Sequence, residues 1–236
     1  MTVVILAIVG YELFINLYKA PTCFDNILNG DETGVDCGGS CQRLCPSAFL
    51  APIVSWTSFE QLAVGSYNVA AYITNPNNNG TARNVPYHFI LYDVNGEAIV
   101  DVPGYVNIPP HRNTLAFLGP VPVGKRVPYK AFFEFTGSPD WYEATDTLSS
   151  LSIGTKDYTE DSSGSSLLVT LKNNNVKPIG GMSVYVALSD ANSNIVGFSK
   201  TILDGIAGLS SVQAPFTWPE NRNGKVISIE VLPVAK

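Results

Sequence analysis

The sequence predicts an all-β protein in which two tandem antiparallel β-sandwiches follow an N-terminal transmembrane helix and a small disulfide-rich module. Apolar and polar residues alternate at period two through much of the chain, and this pattern recurs once at a nearly constant spacing. All four cysteines lie in one short segment near the N-terminus. A composition of 45% hydrophobic and 14% charged residues favours a packed core over disorder.

Residues 1–19 are predicted to form a membrane anchor. The stretch Met1–Tyr18 carries one charged residue, Glu12. As a helix it would cover about 27 Å, near the lower limit for spanning a bilayer. A cleavable signal peptide is the alternative, but the stretch lacks a basic start and a small-residue cleavage site. Glu12 either reaches the membrane interface or pairs with another helix.

Residues 20–46 are predicted to form the disulfide-rich module. Cys23, Cys37, Cys41 and Cys45 make an even set, which indicates two disulfides, and three pairings are open. A segment of this size cannot bury enough apolar surface to hold itself without such links. Zinc is the alternative, but the spacing lacks the C-x2-C pairs of common zinc sites. Disulfides require an oxidising compartment, so the rest of the chain is predicted to be extracytoplasmic.

Several residues between the cysteines carry side-chain oxygens: Asp25, Asn29, Asp31, Glu32 and Asp36. Oxygen ligands of this kind can hold calcium, although the spacing is not that of an EF-hand. The same residue types, next to glycines, also form tight turns. The turn interpretation is favoured, so no cofactor is expected and Ca²⁺ is the one possibility kept open.

The cysteine-rich run resembles a small module of exported surface proteins, with the pattern C-x-D-x-x-x-N-x-x-E-x-G-V-D-C-G-G-x-C. The matching residues are Cys23, Asp25, Asn29, Glu32, Gly34, Val35, Asp36, Cys37, Gly38, Gly39 and Cys41. The resemblance implies export and a position beside a membrane anchor or between domains. It implies no chemistry.

Short alternating runs after the module predict β-strands. Three of them are Tyr67–Ile73, Val85–Val94 and Tyr129–Phe135, each bounded by Asn, Gly or Pro. The dipeptide Asn95-Gly96 is a strong signal for a hairpin turn. The runs recur in the second half of the chain at offsets of 98, 97 and 96 residues, with Asn75 matching Asn173, Asp93 matching Asp190, and Glu134 matching Glu230.

The repeat predicts a first sandwich over residues 47–137, a linker over 138–146 and a second sandwich over 147–236. About ninety residues with about seven short strands fit an immunoglobulin-like domain. A single long β-barrel is the alternative, which the repeat disfavours. Trp141 and Tyr142 lie in the predicted linker and are expected to pack between the domains, because large apolar side chains usually find cover. The alternative is that they are exposed aromatic residues of a binding surface.

The run Phe89-Ile90-Leu91-Tyr92-Asp93 is similar to the signature of the FxLYD family, extracytoplasmic β-sandwiches of prokaryotes. The resemblance covers roughly residues 50–136, and the second repeat keeps only the equivalents of Leu91 and Asp93. It implies a fold and no activity. From strand alternation, Phe89 and Leu91 are predicted to point into the core and Tyr92 outward, with Asp93 starting the turn.

No motif predicts catalysis. His88 and His111, the two histidines, have no evident partner nearby in the sequence, and the G-x-S-x-G, P-loop and dinucleotide-binding patterns are missing. The net charge of −6 comes without a cluster of basic residues, which excludes nucleic acid as an expected partner.

The predicted function is therefore that of a membrane-anchored, extracytoplasmic structural or binding protein that is not an enzyme. It is expected to contact the membrane through its N-terminal helix and to bind a protein or a glycan. The alternatives are a subunit of a pilus-like or secretion-like envelope assembly that oligomerises through that helix and, less favoured, an exported hydrolase.

Overall fold

The computed structural model describes residues 22–144 and 146–236. Over these residues the fold is built from antiparallel β-sheets, and the regular helical structure is one turn of 3₁₀-helix at Pro46–Ala48. No helix in this part of the chain is long and apolar enough to cross a bilayer. The predicted anchor, residues 1–19, lies outside the described residues. The chain divides at Ala48/Phe49 into two compact units.

Residues 22–144 and 146–236 form fourteen strands: β1 Arg43–Leu44, β2 Ile53–Ala63, β3 Ser66–Thr74, β4 Gly80–Tyr92, β5 Ala98–Ile108, β6 Asn113–Pro122, β7 Lys130–Phe135, β8 Trp141–Glu143, β9 Leu151–Asp161, β10 Gly164–Asn173, β11 Met182–Ser189, β12 Ile195–Leu203, β13 Ser211–Trp218 and β14 Ser228–Ala235.

The first unit is held by the two disulfides that the cysteine count predicts. Cys23 pairs with Cys41, and Cys37 pairs with Cys45. No described cysteine is free. Three of the four cysteines are buried, so in this short segment the disulfides supply the core that apolar side chains cannot.

The second unit begins with a sandwich of two sheets. One sheet has the strand order β2-β3-β6, and the other has β4 paired with β5 on one side and with β7 on the other. Alternate residues of β4 point between the sheets, and of these Tyr87, Phe89 and Leu91 are almost fully buried. The rings of Tyr87, Phe89 and Phe133 lie 5.1–5.3 Å apart. The signature strand therefore packs its Phe and Leu into the core, as predicted.

A second pair of sheets follows, with the orders β13-β10-β9 and β12-β11-β14. Its core draws apolar residues from both sheets: Leu167, Val169 and Leu171 of β10, Val184, Val186 and Leu188 of β11, and Phe216 of β13. The strand order repeats that of the first pair. The sheet β9-β10-β13 corresponds to β2-β3-β6, and β12-β11-β14 corresponds to β5-β4-β7.

The hydrogen bonds repeat as well. Asn75 is buried, and its Nδ2 donates to the carbonyls of Gly80 and Pro109. Asn173 is buried in the same way and donates to the carbonyls of Lys177 and Ala207, among others. Each of the two asparagines also accepts the N–H of the residue two positions on. A buried amide that satisfies backbone carbonyls explains why this position is Asn in both halves.

The predicted match between Glu134 and Glu230 is wrong by two residues. Phe133 lies opposite Phe89 on β4, and Val231 lies opposite Val186 on β11. The strand pairing therefore makes Leu232, rather than Glu230, the counterpart of Glu134. Sequence alternation at period two cannot detect a shift of two, because that shift leaves every side chain on the same face.

The two sandwiches pack against each other through their sheets. The outer face of β2-β3-β6 lies on the outer face of β12-β11-β14, and an apolar cluster fills the contact: Ala70, Leu115, Tyr185, Phe198, Leu232 and Val234, with Trp56, Tyr72, Phe117 and Ile195 around them. Polar contacts add to it. Glu60 pairs with Arg222, and Tyr72 Oη donates to Glu230 Oε1 at 2.7 Å. The result is a stack of four sheets.

A short strand occupies part of the segment predicted as a linker. β8 pairs with the start of β4, from Gly80 to Ala82. Trp141 is 3% exposed, and its ring stacks on Phe49 with the centroids 5.5 Å apart. Tyr142, on the opposite side of the strand, is 39% exposed. Trp141 thus completes the first sandwich.

Candidate functional site

The four-sheet stack has two open ends, and the internal repeat allows each to be compared with a sheet face that is covered. One end is the outer face of β9-β10-β13, whose counterpart in the first sandwich is buried against the second. The other end is the outer face of β5-β4-β7, whose counterpart in the second sandwich is buried against the first. A face at either end that kept apolar residues without a partner would indicate a binding surface.

The outer face of β9-β10-β13 has become polar. The apolar contact residues Trp56, Tyr72, Leu115 and Phe117 of the first sandwich correspond, by strand pairing, to Thr155, Thr170, Gln213 and Pro215. Hydroxyl pairs join the strands here, as between Thr155 and Thr170 at 3.1 Å. Leu168 and Pro215 are apolar on this face, but the other three of the four corresponding positions hold hydroxyl or amide side chains. This end of the stack therefore offers a further sandwich less apolar surface than the covered face does.

The outer face of β5-β4-β7 differs from its covered counterpart in another way. In the second sandwich, Tyr185, Phe198 and Leu232 supply much of the apolar contact. The same three positions in the first sandwich hold ionisable residues, namely His88, Asp101 and Glu134. Three apolar positions of the covered face are thus occupied on this face by a cluster of ionisable side chains.

The three residues form a row across the sheet. His88 Nδ1 lies 3.1 Å from Asp101 Oδ1, and His88 Nε2 lies 3.6 Å from Glu134 Oε2. The histidine side chain is 21% exposed, and the carboxylates are 55% and 63% exposed. The carboxylates therefore keep free oxygen lone pairs toward solvent, and the less exposed imidazole lies between them. Such a row can accept hydrogen bonds from a ligand laid over the sheet.

Beside the row, aromatic rings line a shallow groove of about 420 Å³. Tyr92, Tyr129 and Phe132 form its walls, together with Val94, Gly96 and Lys130. Tyr129 is 71% exposed and Phe132 is 41% exposed. On the same face Tyr105, 72% exposed, lies beyond the row. Exposed aromatic side chains grouped next to hydrogen-bonding residues are typical of binding sites.

The turn at the end of β4 shapes the groove. Asp93 Oδ1 accepts the N–H groups of Asn95 and Glu97, both at 3.0 Å, and Oδ2 accepts a hydrogen bond from Arg126 at 2.6 Å. The Arg126 guanidinium and the backbone N–H donors hold the pKa of Asp93 below its ordinary value. Arg126 also donates to the carbonyl of Ala98, so it ties the turn to the loop that carries Tyr129.

A pH dependence of stability follows from this ion pair. The lowered pKa of Asp93 means that its carboxylate stabilises the fold above the unfolded-state pKa, and that this contribution is lost as pH falls through the folded-state pKa. Asp93→Asn keeps the acceptor for the backbone but removes the charge. We expect it to lower Tm near pH 7 by about 1–3 °C.

Thermal unfolding of both proteins from pH 7 down to pH 2 is the measurement. The difference in Tm between the two proteins should shrink as the pH falls through the folded-state pKa of Asp93. A difference that stays constant with pH would contradict the assigned ion pair.

The predicted site residues are only partly brought together. Of the signature strand, Phe89 and Leu91 are in the core, Tyr92 lines the groove and Asp93 builds its turn. His111 lies apart from this face, with its Nδ1 2.8 Å from Asn78 Oδ1. Sequence reasoning missed Tyr129 and Phe132, which the chain reaches only after two further strands. Both residues belong to the alternating run Tyr129–Phe135, but alternation places positions 129 and 132 on opposite faces of a strand, so no signal in the sequence groups them.

The acidic residues of the first unit mainly serve as turn caps. The carboxylate of Asp36 accepts the N–H groups of Asp25 and Asn26, and Asp25 in turn accepts the N–H of Ile27. Cys23, Glu32 and Cys41 place possible metal-binding atoms within 4.8 Å of one another. The two sulfurs are joined in a disulfide, however, so they provide no thiolate ligands. These contacts support the turn interpretation.

A second cavity, of about 290 Å³, lies where the two sandwiches meet. Of its charged lining residues, Arg112 donates to Asp146 Oδ2 at 2.6 and 2.9 Å and to the carbonyl of Leu148 at 3.1 Å. Among the described residues no aromatic side chain lines this cavity, which makes it a weaker candidate than the aromatic groove.

Comparison with known proteins identifies no family. No family model and no curated protein matches the chain. Among solved structures, it is similar to a DUF1425 family member from Shewanella sp. pv-4, with a TM-score of 0.29 and 13% identity over 36% of this chain and 78% of that one.

Two enzymes show a similarity of the same order. The red sea bream transglutaminase has a TM-score of 0.24 and 12% identity over 79% of this chain and 32% of that one. A β-glucuronidase from glycoside hydrolase family 2 has a TM-score of 0.25 and 10% identity over 92% of this chain and 29% of that one. The chain spans about a third of the length of either enzyme. At these TM-scores the similarities carry no argument about function.

Proposed function

We propose that this chain is a membrane-anchored, extracytoplasmic binding protein without catalytic activity, which binds its ligand through the outer face of β5-β4-β7. The observation that carries the proposal is the contrast between the two open ends of the stack. One end has become a hydroxyl-rich solvent face, whereas the other combines exposed Tyr129 and Phe132 with the row of His88, Asp101 and Glu134.

The extracytoplasmic location is supported by the first unit. All four cysteines form disulfides, which persist in oxidising compartments and are rare in the cytosol. The apolar stretch of residues 1–19 has the composition of a membrane anchor. Export and anchoring would place the sandwiches outside the membrane, where a binding face has access to partners.

We assign the first sandwich to the FxLYD type and regard both sandwiches as immunoglobulin-like. Support comes from the signature strand, in which Phe89 and Leu91 are fully buried and Asp93 caps the turn. In the second sandwich Asp190 caps the equivalent turn through the N–H groups of Asn192 and Asn194. The packed contact between the sandwiches then makes the tandem a rigid support for the binding face.

A photo-crosslinking experiment tests the proposal. Benzoylphenylalanine is incorporated at Phe132 of the full chain in producing cells, and the matched control carries it at Thr155 on the polar end of the stack. Irradiation of intact cells should give adducts from position 132 and few from position 155. Equal adduct yields at the two positions, or none at position 132, would reject this face as the binding site.

A further inference from the structure

The chemistry of the ligand can be inferred by comparing the outer face of β5-β4-β7 with its covered counterpart in the second sandwich. This inference rests on the proposed function. A partner β-sheet would need apolar anchors like Tyr185, Phe198 and Leu232, which bury the contact within the chain. The equivalent positions of the exposed face hold His88, Asp101 and Glu134. Burying two carboxylates without cationic partners under an apolar sheet is strongly unfavourable, so the face is ill suited to another sandwich.

A carbohydrate chain fits both parts of the face. The C–H surfaces of a sugar ring pack on aromatic rings, and its hydroxyl groups donate hydrogen bonds to carboxylates. Here the aromatic groove and the carboxylate row lie side by side on one sheet. The distance along β4 from Tyr92 to His88 is about 13 Å at the rise of a strand. That length accommodates about two or three sugar rings.

The charge on the face selects among carbohydrates. Asp93, Asp101 and Glu134 are acidic, and Arg126 is already paired with Asp93. Lys130 is the remaining cation of the groove lining. The protein as a whole carries a net charge of −6. A polyanionic chain would be repelled by this excess of carboxylates, whereas the hydroxyl groups of a neutral chain would meet carboxylate acceptors without that repulsion.

We propose that the outer face of β5-β4-β7 binds a neutral polysaccharide. Sugar rings stack on Tyr129, Phe132 and Tyr92, and hydroxyl groups bind the carboxylates of Asp101 and Glu134. The His88 imidazole lies between the two carboxylates, with Nδ1 3.1 Å from Asp101 Oδ1 and Nε2 3.6 Å from Glu134 Oε2. No bond is made or broken in this binding.

Calorimetry on the full chain tests the proposal. The protein is kept in a polyoxyethylene detergent, since maltoside and glucoside detergents carry sugar headgroups that would compete. Cellohexaose, laminarihexaose and mannohexaose are the neutral probes, and hexagalacturonate is the anionic one. At least one neutral probe should bind, with hexagalacturonate at least tenfold weaker.

Variants then locate the binding. Tyr129→Ala and Phe132→Ala should each weaken the neutral probe about tenfold, as expected for loss of an aromatic anchor. Asp101→Asn should weaken it about threefold. Thr155→Ala, on the polar end of the stack, is the matched control and should leave binding unchanged. Each variant is checked for an unaltered Tm, so that a loss of binding is not a loss of fold.

The outcomes separate this inference from the proposed function. If none of the neutral probes binds, or if binding survives the loss of both rings, the carbohydrate inference is overturned. A polypeptide adduct from position 132 in the crosslinking experiment would also overturn it, while the binding function of the face would stand. Equal adducts at positions 132 and 155 would instead remove the proposed function itself.

Discussion

Phe89→Ala should destabilise the protein by about 3–5 kcal/mol, because it removes a large side chain from a closed core. Phe89 is fully buried, and the rings of Tyr87 and Phe133 lie 5.3 and 5.2 Å away. The surrounding rings are held by strands on both sides, so they cannot collapse fully into the cavity. Urea unfolding followed by circular dichroism is the measurement.

Tyr92→Ala is the matched control, since it lies on the same strand but points outward. We expect it to change the free energy of unfolding by less than about 1 kcal/mol. It should nevertheless weaken ligand binding, because Tyr92 lines the groove. Similar stability losses in the two variants would contradict the separation of the signature strand into a core side and a binding side.

Breaking the ion pair between Glu60 and Arg222 should lower the free energy of unfolding by an amount similar to that expected for Phe89→Ala. Their side chains are only 13% and 11% exposed, and they join β2 of the first sandwich to the loop before β14 of the second. Removing one partner leaves a buried charge without compensation, which typically costs about 3–5 kcal/mol. Glu60→Ala and Arg222→Ala, together with the double variant, give the coupling energy by a double-mutant cycle.

An exposed pair in the same protein provides the comparison. Glu97 is 76% exposed and lies 3.4 Å from Arg126, so Glu97→Gln should change stability by less than about 1 kcal/mol. Hydrogen exchange adds a second readout, because loss of the buried pair should raise exchange in β2 and β12 at the contact. If Glu60→Ala and Glu97→Gln change the free energy of unfolding equally, the ion pair between Glu60 and Arg222 does not hold the two sandwiches together.

Local patterns were sufficient to predict much of the architecture. Alternation at period two predicted strands, and four cysteines in one short segment predicted two disulfides, both of which the structure contains. Phe89 and Leu91 were correctly placed in the core, because the side of a strand follows directly from residue parity. The prediction that Asp93 starts a turn is confirmed for the same reason, since a turn cap acts on its nearest neighbours.

The sequence was less informative wherever distant strands meet. His88 showed no partner nearby in the sequence, yet Asp101 and Glu134 reach it from β5 and β7. Trp141 was assigned to a linker, but the short strand that carries it pairs with β4. The sequence also left the choice among the three disulfide pairings open. Each of these features depends on strand register or turn geometry, which local sequence patterns do not specify.

Patterns in the sequence alone determined four features: the strand periodicity, the internal repeat, the presence of two disulfides and the inward side of the signature strand. Only the tertiary structure decided which sheet faces are covered and which remain open. Alternation predicts which side chains leave the core of a sandwich, but it does not predict which of those outward side chains another sheet covers. Stacking one sandwich on the other buried Tyr185, Phe198 and Leu232 and left their counterparts His88, Asp101 and Glu134 exposed beside the aromatic groove.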